Sequence, residues 1–206
     1  MARGRSAGYE DQRELILEHA AQLFAQRGYT AASMNEVAEA CGLSKPALYH
    51  YFRDKYDLLV HIAEGHVSRL QVLVGEVQAL GLTPEERLRA LIQRFVLEYA
   101  RAKYAHRVLT EDVKFLKEDD RLRILGSERQ VVAHFSLAVG QQWPHIAAAG
   151  LGTPTAMLLF GMINWMFTWF RPEGSLTYED LAPMVADLFF GGVPAMRLPA
   201  APEHDR

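Results

Sequence analysis

The chain has 206 residues, half of them hydrophobic and 23% charged, with a formal net charge of −3. This is ordinary globular composition, with enough apolar material for one or two buried cores. Cys41 is the only cysteine, which excludes an intrachain disulfide and a cysteine-based zinc site. The start "MARGRSAGYEDQ" lacks the apolar stretch of a signal peptide. The most apolar run, residues 156–170, is 15 residues long and falls short of the roughly 20 that cross a bilayer. The expectation is a cytoplasmic protein with no membrane partner.

Apolar residues recur at helical spacing, as in Leu15, Ile16, Ala20, Leu23 and Phe24. The spacing predicts a first helix over 10–27, ended by Gly28 at the C′ position. Ser33 followed by Glu36 is a capping-box pair that starts a short second helix over 34–40, and Gly42 stops it. Ser44 caps a third helix ending near Phe52, with Pro46 in its first turn, where a missing N–H does no harm. Asp54 caps a fourth helix over 55–80, whose Leu58, Leu59, Ile62, Leu70 and Val74 share the buried side. Thr83-Pro84-Glu85-Glu86 is a further helix start. Helices then follow over 84–103, 105–117, 121–144, 154–171 and 178–190, with breaks at Gly150, Gly152, Pro172 and Gly174. The proline-rich tail from Pro194 reads as a mobile end. The fold class is all-α: a three-helix unit over residues 1–57, then a larger helical body over 58–206.

Two short helices joined by "ACGLS" make a helix-turn-helix pattern, with glycine in the turn and a capped second helix. In such units the second helix enters the DNA major groove. Lys45 and Ala47 in its first turn then face the bases, where Ala47 can touch a thymine methyl. Tyr49, Tyr51 and Lys55 are placed for phosphate oxygens, contacts that fix register more than sequence. The start of the fourth helix adds backbone donors and a favourable dipole. Residues 1–57 are not basic overall, with seven Arg or Lys against eight Asp or Glu. Charge placement matters more, and Lys45, Arg53 and Lys55 cluster while Arg3 and Arg5 lie on a glycine-containing arm. The bland alternative is that Tyr49, His50 and Tyr51 only pack a small core, since tyrosine often buries its ring and wets its tip.

Residues 13–60, "RELILEHAAQLFAQRGYTAASMNEVAEACGLSKPALYHYFRDKYDLLV", resemble the DNA-binding domain of the TetR family of bacterial transcriptional regulators. The resemblance implies a phosphate contact from Ser33, base contacts from Lys45, Pro46 and Ala47, and a backbone grip from Tyr49, Tyr51 and Lys55. It also implies a phosphate contact from His50. Many relatives carry Thr in place of Ser33, and Gly or Ala in place of Pro46. The family uses the rest of the chain to dimerise and to hold a small ligand that shifts the spacing of two DNA-reading heads. A pivot of the fourth helix would suffice, because half-sites sit roughly 34–36 Å apart.

The stretch "MLLFGMINWMFTWFRPEG", residues 157–174, is apolar on every side and predicts a helix buried all round. Gly161 allows close helix approach, and Asn164 and Thr168 lie one turn apart as polar groups in an apolar setting. The last two helices, with Leu181, Met184, Leu188, Phe189 and Phe190, are expected to form a four-helix homodimer bundle. The C-terminal region also resembles TetR regulators of fatty-acid, phenylacetate and related carboxylate catabolism, whose effectors are acyl-coenzyme A thioesters. That resemblance implies an acyl tunnel with a basic mouth. The candidate lining is Phe95, Tyr99, Phe115, Phe135, Asn164, Trp165, Phe167, Thr168 and Trp169. Arg101, Lys103, Arg107, Arg121, Arg123 and Arg129 are candidate phosphate partners.

No nucleophile elbow, Walker loop or HExxH appears, and His61 with Glu64 has no further ligands nearby, so neither catalysis nor a metal or cofactor is expected. The competing reading is a TetR-type efflux regulator responding to cationic aromatic drugs through buried acids. Glu98, Glu111 and Asp112 are its candidates. Where those carboxylates point decides between the two.

Overall fold

A computed structural model of the chain describes residues 7–171 and 174–197, with the side chain of Ala7 excepted. Arg3, Arg5, Pro172 and the tail beyond residue 197 lie outside the described residues. Every regular element among the described residues is helical. The α-helices are α1 (Ala7–Arg27), α2 (Met34–Ala40), α3 (Lys45–Tyr51), α4 (Lys55–Ala79), α5 (Pro84–Arg101) and α6 (Lys103–Asp112). They continue as α7 (Glu118–Gln142), α8 (Pro144–Ala148), α9 (Gly152–Ile163), α10 (Met166–Trp169) and α11 (Tyr178–Gly192). Single 3-10 turns follow α6 and α11, at Val113–Phe115 and Val193–Ala195.

Capping chemistry sets the early boundaries. At α2 the Glu36 N–H donates to Ser33 Oγ at 3.3 Å while the Ser33 N–H donates to Glu36 Oε2 at 2.8 Å. Two otherwise orphaned donors are thereby satisfied at once. Ser44 Oγ accepts the Ala47 N–H at 3.3 Å to start α3, and Asp54 Oδ1 accepts the Asp57 N–H at 2.8 Å to start α4. The end of α2 is equally well specified. Gly42 adopts φ 64°, its N–H donates to Glu39 O, and the Leu43 N–H reaches back to Ala38 O. This left-handed glycine closure turns the chain from α2 into α3 within a few residues. Farther along, a Thr177–Asp180 capping box starts α11, a pairing the sequence reading passed over.

The chain divides into two compact units, Met1–Ser68 with Ala102–Gly126, and Arg69–Arg101 with Ser127–Arg206. In the first unit Ile16, Phe24, Val37, Leu48, Phe52, Leu58 and Leu59 are essentially inaccessible. Val108 and Leu109 of α6 and Ile124 of α7 join that core, and α6 lies along α1. In the second unit α11 lies along α5 around Leu91, Phe95, Phe135, Leu159, Ile163 and Ala182. Gly152 permits close packing there, because a Cβ at that position would come within 2.8 Å of Ser136 Oγ.

Two expectations are corrected. The helix expected over 154–171 is broken at Asn164–Trp165, giving α9 and the short α10. The Thr168 amide and hydroxyl both turn back onto the Trp165 carbonyl, at 3.0 and 2.7 Å, in place of a continued α-helical ladder. Nor is this stretch buried all round. Met157, Leu158, Met162, Trp165 and Trp169 are exposed, while Ala156, Leu159, Phe160, Ile163 and Met166 face the core. Composition alone does not separate a face buried within its own chain from an apolar face left on the surface.

Candidate nucleic-acid and effector sites

The third helix has two faces of opposite character. Leu48, at 0% exposure, and the following Phe52, at 1%, anchor it in the core. Lys45, Pro46, Tyr49 and His50 are exposed on the other side, with Ala47 half-buried between them. The outward row at positions 45, 46, 49 and 50 follows the i, i+3, i+4 spacing of one helix face. It combines a cation, a tyrosine hydroxyl and an imidazole on a rigid support. Such a face reads groove edges and phosphates better than it serves a core. Ser33 is also exposed, at the cap of α2.

Tyr51 is different. It is half-buried and stacked on Tyr9 of α1, with ring centroids 4.8 Å apart, and His50 meets Tyr9 edge-on at 6.2 Å. The start of α1 thus braces the end of α3. Lys55 is also engaged within the protein. Its ammonium donates to the carbonyls of Tyr29, Thr30 and Ala32 at 2.7, 3.1 and 2.8 Å and lies over the Tyr29 ring. An ammonium has three donors, and three carbonyls take them all. A phosphate contact from Lys55 would have to displace one of these bonds. The first turn of α4 is occupied too, by its Asp54 cap and by Asp57. Burial alone would raise the Asp57 carboxyl, but donors from the Arg53 guanidinium and backbone outweigh it and hold the group below its usual range. At that helix end the Asp57 N–H is thus taken by the Asp54 cap, while the Asp57 carboxylate turns back onto Arg53.

In the second unit Phe95, Phe135 and Phe160 form an aromatic cluster with centroid separations of 4.8 to 6.3 Å, and Tyr99 abuts Phe95 at 5.9 Å. Asn164 is half-buried at the α9–α10 break. Phe167 is half-buried against Trp165. Trp165, Thr168 and Trp169 lie on the exposed side. Phe115 is not brought together with this group, because it packs on Tyr29 in the first unit.

Among the expected acids, Glu98 is buried and bridged by Arg69 and Arg101, while Glu111 is paired with Arg107. Asp112 is buried in the first unit, and burial with neighbouring Glu111 raises its carboxyl. Arg121 pairs with Glu118, and Arg123 with Glu64 and Asp120. Lys103 lies over the Tyr104 ring, and Arg129 is exposed.

Several polar contacts escaped the sequence reading because their partners lie far apart in the chain. The Tyr56 hydroxyl donates to Asp120 at 2.5 Å and accepts the Lys117 N–H at 2.9 Å. His66 and His106, both buried, share a bond of 3.2 Å. Burial pushes the Glu128 carboxyl up to about 6.

Comparison with known proteins accords with this geometry. Residues 16–62 match the family model for bacterial regulatory proteins of the tetR family, and residues 81–193 match a tetracyclin repressor-like C-terminal domain. A TetR-family regulator from Bordetella parapertussis 12822 has a similar crystal structure, at 33% identity and TM-score 0.84 over 91% of this chain and 98% of that one. AibR, crystallised with isovaleryl coenzyme A and operator DNA, is 29% identical with TM-score 0.74 over 86% of this chain and 97% of its own. The transcriptional repressor KstR2 of Rhodococcus jostii is 25% identical over 91% of this chain and 94% of that protein. A shorter stretch, 45% of the chain, is 38% identical to the transcriptional activator FasR of Mycolicibacterium smegmatis and spans 42% of it. With both halves of the fold matched in order, the chain belongs to the TetR family and is a DNA-binding helix-turn-helix transcriptional regulator.

Proposed function

We propose that the protein is a homodimeric, cytoplasmic repressor of a catabolic operon, released from its operator by an acyl-coenzyme A effector. The observation that carries this reading is the likeness to AibR along nearly its full length, in a structure holding both isovaleryl coenzyme A and operator DNA. The similar repressor KstR2 supports the direction of control. Residues 1–57 read the operator, with Lys45, Pro46, Ala47, Tyr49 and His50 on the groove-facing side. Ser33 and Tyr51 flank them, and Lys55 acts chiefly by holding the loop after α1. Residues 58–206 dimerise and bind the effector beside the Phe95, Tyr99 and Phe135 aromatics and Asn164.

The exposed apolar row on α9 and α10, with Met184 and Leu188 of α11, supports a subunit interface. Solvated surfaces seldom keep so many large apolar side chains on adjacent helices. Gly161 lies within that row and is exposed, which lets a partner helix approach. Leu181 and Phe189, expected at the interface, are instead spent on the subunit's own core. Because effector and DNA compete through one conformational equilibrium, whatever weakens operator binding must itself bind the operator complex more weakly by the same factor.

The test is fluorescence anisotropy on the protein's own upstream promoter DNA, titrated with isovaleryl-, phenylacetyl- and octanoyl-CoA and the matching free acids. One thioester should strip the protein from DNA at concentrations where its acid has no effect. The second reading, control by cationic aromatic drugs, has Glu128 in its favour as a half-buried carboxylate in the second unit whose charge is disfavoured by its surroundings. It loses Glu98, which two arginines already neutralise. Release by cationic dyes but by no thioester would reverse the order of the two readings.

A further inference from the structure

Helix α1 carries its buried stripe past the core of the first unit. Ile16, Ala20 and Phe24 are at most 1% exposed, and the same helical spacing continued toward the start of the helix reaches Arg13 and Tyr9. There the stripe lies over the end of α3. The Arg13 guanidinium carbon sits 5.0 Å from the centroid of the Phe52 ring, and Tyr9 stacks on Tyr51 at 4.8 Å with the planes 26° apart. His50 closes the group, its ring edge-on to Tyr9 at 6.2 Å and to Tyr51 at 5.7 Å. Each of the three rings pairs with the other two, although Tyr9 and Tyr51 are half-buried and His50 is exposed. Seven residues are too few for α3 to hold its last turn by its own backbone bonds. That turn carries His50 and Tyr51, so the ring of Tyr9 settles what the helix shows to solvent there.

We propose that Tyr9 is a positioning residue for operator binding: its ring holds those of His50 and Tyr51 in the orientation that brings an imidazole N–H and a phenol O–H to the DNA backbone. This rests on the reading of His50 and Tyr51 as operator contacts. Both groups suit phosphate oxygens. Rings fixed before DNA arrives need not be ordered by it, which removes a cost from binding. Stacked and edge-on pairs have preferred geometries, so they fix orientation as well as position. The first turn of α1 thereby joins the DNA-reading surface. The sequence reading started the first helix at residue 10 and left Tyr9 outside it, whereas α1 begins at Ala7 and takes the ring over α3.

Fluorescence anisotropy of the full chain on its own upstream promoter DNA, well below the melting temperature, tests this. Tyr9→Leu should weaken binding about tenfold, the scale of one hydrogen bond to a charged group. Leucine favours helix at least as well as tyrosine, so lost propensity does not account for such a change. Tyr9→Phe keeps the ring and should restore most of the affinity. The background His50→Ala/Tyr51→Phe removes both contacting groups and keeps the ring of residue 51. Adding Tyr9→Leu there should cost no more than about twofold, because effects that run through the same groups do not add. A full tenfold loss in that background would show that Tyr9 acts apart from the two rings, and would overturn the positioning role. So would wild-type affinity in Tyr9→Leu, or a loss in Tyr9→Phe as large as in Tyr9→Leu; in these cases a weakened background leaves the reading of His50 and Tyr51 standing. If the background itself binds like wild type, that reading falls and the positioning role falls with it. Should Tyr9→Leu fail to fold, Tyr9→Gln takes its place with the same outcomes.

Discussion

The two compact units of this protein hold their polar groups in contrasting ways. In the first, many polar side chains near the outward face of α3 have local partners. Ser33 and Glu36 cap each other, Ser44 caps α3, Asp54 caps α4, and Lys55 binds three carbonyls of the loop after α1. The outward side chains Lys45, Pro46, Tyr49 and His50 are left at the surface of a braced frame. The second unit is organised by apolar packing, with an aromatic cluster at its centre and an apolar row outside. Under the proposed function, the contrast is between a DNA-reading surface braced before DNA arrives and a ligand and partner unit that keeps apolar surface to be covered later.

The largest expected effect tests whether that outer row is an interface. The double variant Leu158→Glu/Leu188→Glu should sediment as a monomer. It should lose operator binding by about a hundredfold or more, because two linked heads bind far more tightly than one. A dimer that survives both charges would mean the row serves another purpose. Next comes Tyr49→Ala, which removes an exposed side chain with no core role. Operator affinity should fall about tenfold or more, a charge-assisted bond lost in each subunit, with melting temperature and dimerisation unchanged. Unchanged affinity would assign Tyr49 to the surface alone.

Lys55→Met sharpens the comparison from the other side. The ammonium's three carbonyl bonds lie within the protein, so the variant should lose about 2 kcal/mol of stability, read by denaturant unfolding. Its operator affinity measured well below the melting temperature should fall much less than that of Tyr49→Ala. The reverse ranking would restore Lys55 as a phosphate contact.

The smallest effect concerns Glu128. Its carboxyl titrates near 6 in the folded protein against an ordinary value of 4.5, because burial disfavours the charge. Between these values the unfolded chain releases the proton first, so stability falls as pH rises through that window and stays lower above it. Glu128→Gln removes the fall and should stabilise the protein at pH 7 by an amount on the order of 1–2 kcal/mol. A melting temperature with the same pH dependence in wild type and variant would show that the group is solvated.

The boundaries of α2, α3 and α4 were legible because each is written in a few adjacent residues: a hydroxyl or carboxylate at the cap, a glycine at the stop. The i, i+4 spacing of Leu48 and Phe52 likewise puts both on one face, the one the structure buries. Residues 154–171 were misread because Thr168, noticed as a polar group, also competes locally for the backbone. No window of sequence weighs that against continued helix. The short α8 was missed as well, its five residues giving too brief a pattern to read.

What the sequence determined by itself is the family, the helix-turn-helix and the side chains that face outward from it, because these depend on contacts a few residues apart. Only the tertiary structure decided that Lys55 is engaged internally, that residues 102–126 pack with the DNA-reading head, and that Glu98 carries two arginines. It also decided which side of α9 is buried. Those outcomes join residues tens of positions apart, and helical periodicity cannot say which distant face will meet which.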